Sequence, residues 1–211
     1  MWLYKVMKAV VFALLYPLFL IRRKDKEKIP ATGKLILVGN HRNMLDPLIF
    51  STMTKRHIRF MAKQELFEKQ PLAWCATTIG AFPINRGTAD LSGIKTALSA
   101  LKSDGALLIF PEGTRNPNPN GPLLPLHDGV ALLALKSGAT VVPFYIGGSY
   151  RPFSGLKLMV GDAINLSDIN ARRVDKATME TVMRRVRDAI HALAGIREGG
   201  TNAARTEVPK T

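Results

Sequence analysis

Short apolar runs set between helical patterns constrain this chain more than any other feature. KLILVG (Lys34–Gly39), ALLIF (Ala106–Phe110) and TVVPFYI (Thr140–Ile146) lack polar alternation, so each reads as a strand covered on both faces. Further extended pieces are expected over Ile58–Ala62, Ala81–Asn85 and Leu156–Val160. Helical patterns separate them: Asp46–Thr54 with Asp46 as N-cap and Pro47 at the first helical position, Gln64–Ile79 interrupted at Pro71, Asp90–Ser103, Gly129–Lys136, and the charged amphipathic Val174–Leu193. The alternation predicts an α/β fold, a central mixed but mainly parallel sheet with helices on both faces, plus an N-terminal membrane-associating helical segment. At 211 residues a single core suffices. The chain divides into a membrane-anchoring segment over 1–28, a domain over 29–195, and a polar, aperiodic tail over 196–211 expected to be disordered.

The anchor expectation rests on Ala9–Ile21 (AVVFALLYPLFLI), an apolar run between Lys5 and Lys8 on one side and Arg22, Arg23, Lys24, Lys26 and Lys28 on the other. Alone it falls short of the ~20 residues that cross a bilayer, and it reaches that length only if Lys5 and Lys8 snorkel. An interfacial helix with a cationic flank fits better, because apolar insertion and attraction to anionic lipid act together. A helix packed on the protein's own core is the alternative. A cleaved signal peptide is disfavoured by the basic cluster after the run and by the missing small-x-small site.

A net charge of +14 and a hydrophobic fraction of 46% point to polyanionic partners and to apolar surface outside the core. Nucleic acid is one such partner, but no RNP, KH, zinc-finger or helix-turn-helix signature accompanies the charge. Cys75 is the only cysteine, so no intrachain disulfide forms, and its apolar helical context favours a buried thiol over a nucleophile. The histidines at 41, 57, 127 and 191 show no metal-ligand spacing.

Three segments carry possible chemistry. In GNHRNMLDP, His41 and Asp46 stand close enough across a loop for the carboxylate to orient the imidazole and leave its other nitrogen free as a base. By itself the segment reads equally as a helix cap beside a polar loop residue. GAFPINRG places Arg86 after an extended piece, and FPEGTR places Glu112, Gly113, Thr114 and Arg115 after a strand, where α/β folds bind ligands. Arg forks bind phosphate, Gly lets backbone N–H groups approach an anion, and Thr114 adds a hydroxyl. A surface charge and an ordinary turn account for the same residues.

Taken together, NHxxxxD (NHRNMLD), GxFPxxR (GAFPINR), FPEGTR and VVPFYI follow the order and approximate spacing of the glycerolipid acyltransferase superfamily. The chain most resembles its bacterial 1-acyl-sn-glycerol-3-phosphate acyltransferases. The likeness covers about residues 30 to 165, including MAKQELF at 61–67. It implies acyl transfer from acyl-CoA or acyl carrier protein to the sn-2 hydroxyl of lysophosphatidic acid, giving phosphatidic acid at the cytoplasmic face of the cell membrane. It also implies His41 as general base with Asp46 as its partner. Arg86, Glu112, Gly113, Thr114 and Arg115 are implied as acceptor-binding residues, and Pro143 as part of the fourth block. Neither metal nor organic cofactor is implied. The expected partners are the thioester donor, the lysophosphatidic acid acceptor and an anionic membrane, with no nucleic acid. LHDGV at 126–130 departs from relatives that carry a lysine there, which leaves glycerol 3-phosphate or another lysophospholipid as alternative acceptors. Direct attack on the thioester needs no acyl-enzyme, and the chain has no G-x-S-x-G elbow.

Overall fold

The computed structural model describes residues 2–84, 91–102, 104–118, 121–170 and 174–196. Arg86, the Asn85 end of one extended piece and nearly all of the tail expected to be disordered lie outside them. Seven strands form one sheet: β1 (Arg22–Lys24), β2 (Leu35–Gly39), β3 (Ile58–Lys63), β4 (Ala81–Ile84), β5 (Ala106–Ile109), β6 (Thr140–Gly148) and β7 (Leu156–Val160). Their spatial order is β1-β7-β6-β2-β5-β3-β4. Neighbours pair in parallel except β6 with β7, so the sheet is mixed but mainly parallel.

Strand β2 explains the arrangement. All five of its residues are buried, because β5 and β6 flank it and helices cover both faces. Alternate side chains enter opposite layers, as the pleat dictates. Leu35 and Leu37 join Phe50 and Phe144 on one face, and Ile36 and Val38 join Val130, Leu133 and Val186 on the other. The first layer holds α1 (Trp2–Phe19) and α2 (Asp46–Ser51). The second holds α4 (Leu91–Leu101), α5 (Gly129–Ser137) and α6 (Lys176–Ala194). A short α3 (Leu72–Thr78) follows the 3-10 turn Gln64–Phe67, which is the interruption expected at Pro71. Pro143 sits inside β6 at low cost: the ladder to β7 begins one residue later, at Phe144, so its missing N–H removes no bond there.

Two findings depart from the sequence reading. Arg22–Lys24, taken above as part of a cationic flank, forms edge strand β1 and pairs Arg22 to Lys157. Helix α1 is also docked rather than free. Tyr4 and Phe19 are buried near its two ends, Val11, Leu15 and Leu18 pack on the core, and the Ile58 N–H donates to the Tyr4 hydroxyl oxygen at 3.2 Å. Its other side exposes Trp2, Val6, Val10 and Leu14. Residues 2–28 are therefore integrated with the domain through both sheet and core.

Candidate active site

The NHRNMLD segment leaves β2 at the carboxyl end of the sheet, where β2 lies between β5 and β6. This is the kind of crevice in which α/β folds bind ligands. Gly39 is required there, since a Cβ on it would sit 2.5 Å from the Phe144 ring and carbonyl oxygen. Asn40 then fastens the loop to β6: its amide donates to the Ile146 carbonyl at 2.9 Å, and its oxygen accepts the Ile146 N–H at 2.8 Å.

His41 Nδ1 lies 2.8 Å from Asp46 Oδ2. Facing a carboxylate oxygen, Nδ1 carries the proton of the neutral ring, which leaves the lone pair on Nε2. The ring stacks on Phe110 with centroids 4.1 Å apart, and the His41 side chain is 12% exposed. Asp46 is fully buried and was expected to cap its own helix. Instead Leu45 occupies the cap position, and the carboxylate turns back to accept the Arg42 N–H at 2.6 Å and the Asn43 N–H at 2.8 Å. The remaining oxygen accepts from the Tyr150 hydroxyl. Burial, and then the neighbouring Asp46 charge, hold the Tyr150 phenol far above its ordinary range, so it stays protonated and donates.

Glu112, in the FPEGTR turn, is buried and spends its oxygens inside the protein. Oε1 accepts the His41 N–H at 2.9 Å; Oε2 accepts the Leu124 N–H at 3.0 Å and the Asn116 amide at 3.1 Å. Asn116 returns its own N–H to the His41 carbonyl at 2.8 Å. These bonds join the histidine loop to the turn. Gly113 has φ +65°, and a Cβ there would meet the His127 ring at 2.8 Å, while its N–H is committed to the Phe110 carbonyl. Thr114 and Arg115 are exposed, and Arg115 has no ion pair among the described residues. Beside the turn lies a cavity of about 550 Å³ lined by Phe110, Gly113, His127 and Asp128 together with Met61, Ile94, Leu132 and Met179. Phe110 both lines the cavity and carries the His41 ring. Sequence reasoning missed Tyr150, Phe110, Asn116 and Asn40. Phe110 and Asn40, each inside a quoted motif, had a sequence signal; Tyr150 and Asn116 had none.

A family model described as acyltransferase matches residues 20–147. The chain belongs to the acyltransferase family. Among its relatives, the 1-acyl-sn-glycerol-3-phosphate acyltransferase of Streptococcus pneumoniae is 33% identical over 179 residues, covering 80% of this chain and 64% of the relative. The Bacillus subtilis protein of the same name is 29% identical over 153 residues, covering 68% and 73%. The chain thus spans just under two thirds of the pneumococcal relative. Among solved structures, the 1-acyl-sn-glycerophosphate acyltransferase of Thermotoga maritima superposes with a TM-score of 0.68 at 21% identity, covering 90% of this chain and 79% of that one, and so shares the fold.

Within this acyltransferase family member, the Tyr150 bond is a positioning contact. Tyr150→Phe is expected to lower kcat by about 10- to 100-fold, because a hydrogen bond to a charged group contributes ~1.5–3 kcal/mol and 1.36 kcal/mol is tenfold in rate. The Michaelis constants should stay near wild type, since the hydroxyl is committed to Asp46. Steady-state kinetics check this, and an effect on KM alone would place Tyr150 in a pocket instead.

Proposed function

We propose that this chain transfers an acyl group from an acyl thioester, of coenzyme A or acyl carrier protein, to the sn-2 hydroxyl of 1-acyl-sn-glycerol 3-phosphate. The observation that carries this reading is His41, oriented through Nδ1 by a buried carboxylate and resting on the Phe110 wall of an apolar cavity of about 550 Å³. The cavity is of ligand size and of the polarity a fatty chain requires. A thioester whose chain fills it presents its carbonyl near the imidazole. Nε2 takes the proton of the acceptor hydroxyl, the oxygen adds to the carbonyl, the tetrahedral intermediate expels the thiolate, and the proton passes to the departing sulfur. Asp46, its carboxylate fixed by the Arg42 and Asn43 N–H groups and the Tyr150 hydroxyl, stabilises the imidazolium between those steps. Support for the acceptor comes from the names of the relatives and from Arg115, exposed two residues beyond Gly113 of the cavity wall.

The membrane belongs to the same proposal. Both ends of α1 are fastened to the domain, so the helix lies along the bilayer surface and presents Trp2, Val6, Val10 and Leu14 to lipid on the cytoplasmic face. Arg86 and Arg115 are assigned to the acceptor phosphate.

A second acceptor is favoured by one observation: His127 and the exposed Asp128 border the cavity, and a carboxylate there opposes a phosphate dianion. An assay with lysophosphatidic acid, glycerol 3-phosphate and a zwitterionic lysophospholipid, each with both donors, decides among them. Arg115→Ala and Arg86→Ala should raise KM for lysophosphatidic acid more than for the donor, since a group that binds ground and transition states alike acts on KM. Loss of donor affinity alone would reverse the assignment of the two pockets.

A further inference from the structure

A second cavity, of about 780 Å³, opens between the flank of α1 and edge strand β1. It reaches His57 and Ile29, which precede β3 and β2, so it lies at the opposite end of the sheet from His41. Lys5, Lys8, Arg23, Lys26, Lys55 and Arg56 line it, against one acid, Glu27. None of the six has an ion pair among the described residues. Arg56 is spent on the carbonyls of Pro30, Thr32, Gly33 and Asp104, whereas Lys5, Lys26 and Lys55 are exposed. Lys8 donates to the Thr54 carbonyl, and burial with no carboxylate to offset it lowers its ammonium to about 8. The rest of the lining combines the apolar Ala9, Phe12 and Met53 on one side with Thr52, Thr54 and His57. Phe12 is exposed at this wall.

We propose that this groove holds the phosphate headgroup of an anionic bilayer glycerophospholipid, with Lys5, Lys26 and Lys55 around the phosphate and Phe12 and Met53 against the glycerol and first acyl carbons. The assignment rests on the membrane-surface reading above and gives it a defined site in place of diffuse attraction. Several uncompensated cations in one concavity select an anion. A soluble anion would gain nothing from the apolar wall, whereas a lipid gains from both.

The test compares two full-length variants of equal net charge on vesicles of phosphatidylcholine with and without phosphatidylglycerol. Lys5→Glu, Lys26→Glu and Lys55→Glu together alter the groove; Lys95→Glu, Arg184→Glu and Arg187→Glu alter exposed cations of the α4–α6 layer. Circular dichroism confirms that both fold. The groove variant should lose on the order of a hundredfold in affinity for the anionic vesicles, and the control less than about tenfold. Free inorganic phosphate at equal ionic strength should not displace the wild-type protein. Equal losses in the two variants, no preference of wild type for phosphatidylglycerol, or displacement by free phosphate would each overturn the site. Acyl transfer to a detergent-dispersed acceptor, measured on the same proteins, tests the catalytic reading separately, because both variants should retain it.

Discussion

His41→Ala is expected to lower turnover by about 10²–10⁴-fold, the range typical of general-base assistance, with the fold intact. The structure says why the fold should survive. Asp46 keeps the Arg42 and Asn43 N–H groups and the Tyr150 hydroxyl when the imidazole is gone, so the buried charge is not orphaned. Asp46→Asn should be severe but less complete. An amide oxygen can still accept at the three-donor position, and its NH₂ can donate to the Tyr150 oxygen, so the tautomer is retained while the negative charge is lost. The measurement is kcat at saturating substrates beside a thermal unfolding midpoint. Near-normal turnover in a folded His41→Ala protein would end the general-base mechanism.

Removal of residues 1–28 is expected to abolish cooperative folding, and not only membrane binding. The deletion takes away buried Tyr4 and Phe19, the inward-facing Val11, Leu15 and Leu18, and the whole of β1. At about 1.5–3 kcal/mol for each fully buried large side chain, and less for the half-buried ones, the loss approaches the 5–15 kcal/mol that holds a typical domain together. Serine at Val6, Val10 and Leu14 instead should leave the thermal midpoint within a few degrees and release the protein from vesicles, because those side chains face outward. A truncated protein that melts cooperatively at the wild-type temperature would show that α1 does not close the core.

The contrast between these two variants marks what a sequence can carry. KLILVG, ALLIF and TVVPFYI announce buried strands because burial on both faces demands uninterrupted apolar residues, and the structure places them side by side at the sheet's centre. β1 carries no such mark. Its three residues are all cationic and exposed, and only the backbone takes part in pairing. The apolar run of α1 is likewise ambiguous, since one side of the helix meets the core and the other faces outward. At the site, His41 and Asp46 are five positions apart and legible as a pair. Tyr150, 104 residues from Asp46, meets it only because β6 returns beside β2. Glu112 was legible as part of a motif, but its hold on the histidine loop depends on Asn116 and Leu124, which no local pattern ties to it. Arg86 lies outside the described residues, and its role remains a proposal.

The pairing of β1 with β7 also fixes an order of events during synthesis. Arg22 is made before its partner Lys157, which emerges about 135 residues later. At 5–20 residues per second, that interval is on the order of ten seconds. Through all of it the first strand has no neighbour, and the apolar helix ahead of it has only an incomplete surface to pack on. Closure of the sheet at this edge therefore waits until β7 is made, shortly before α6 arrives to complete the other layer.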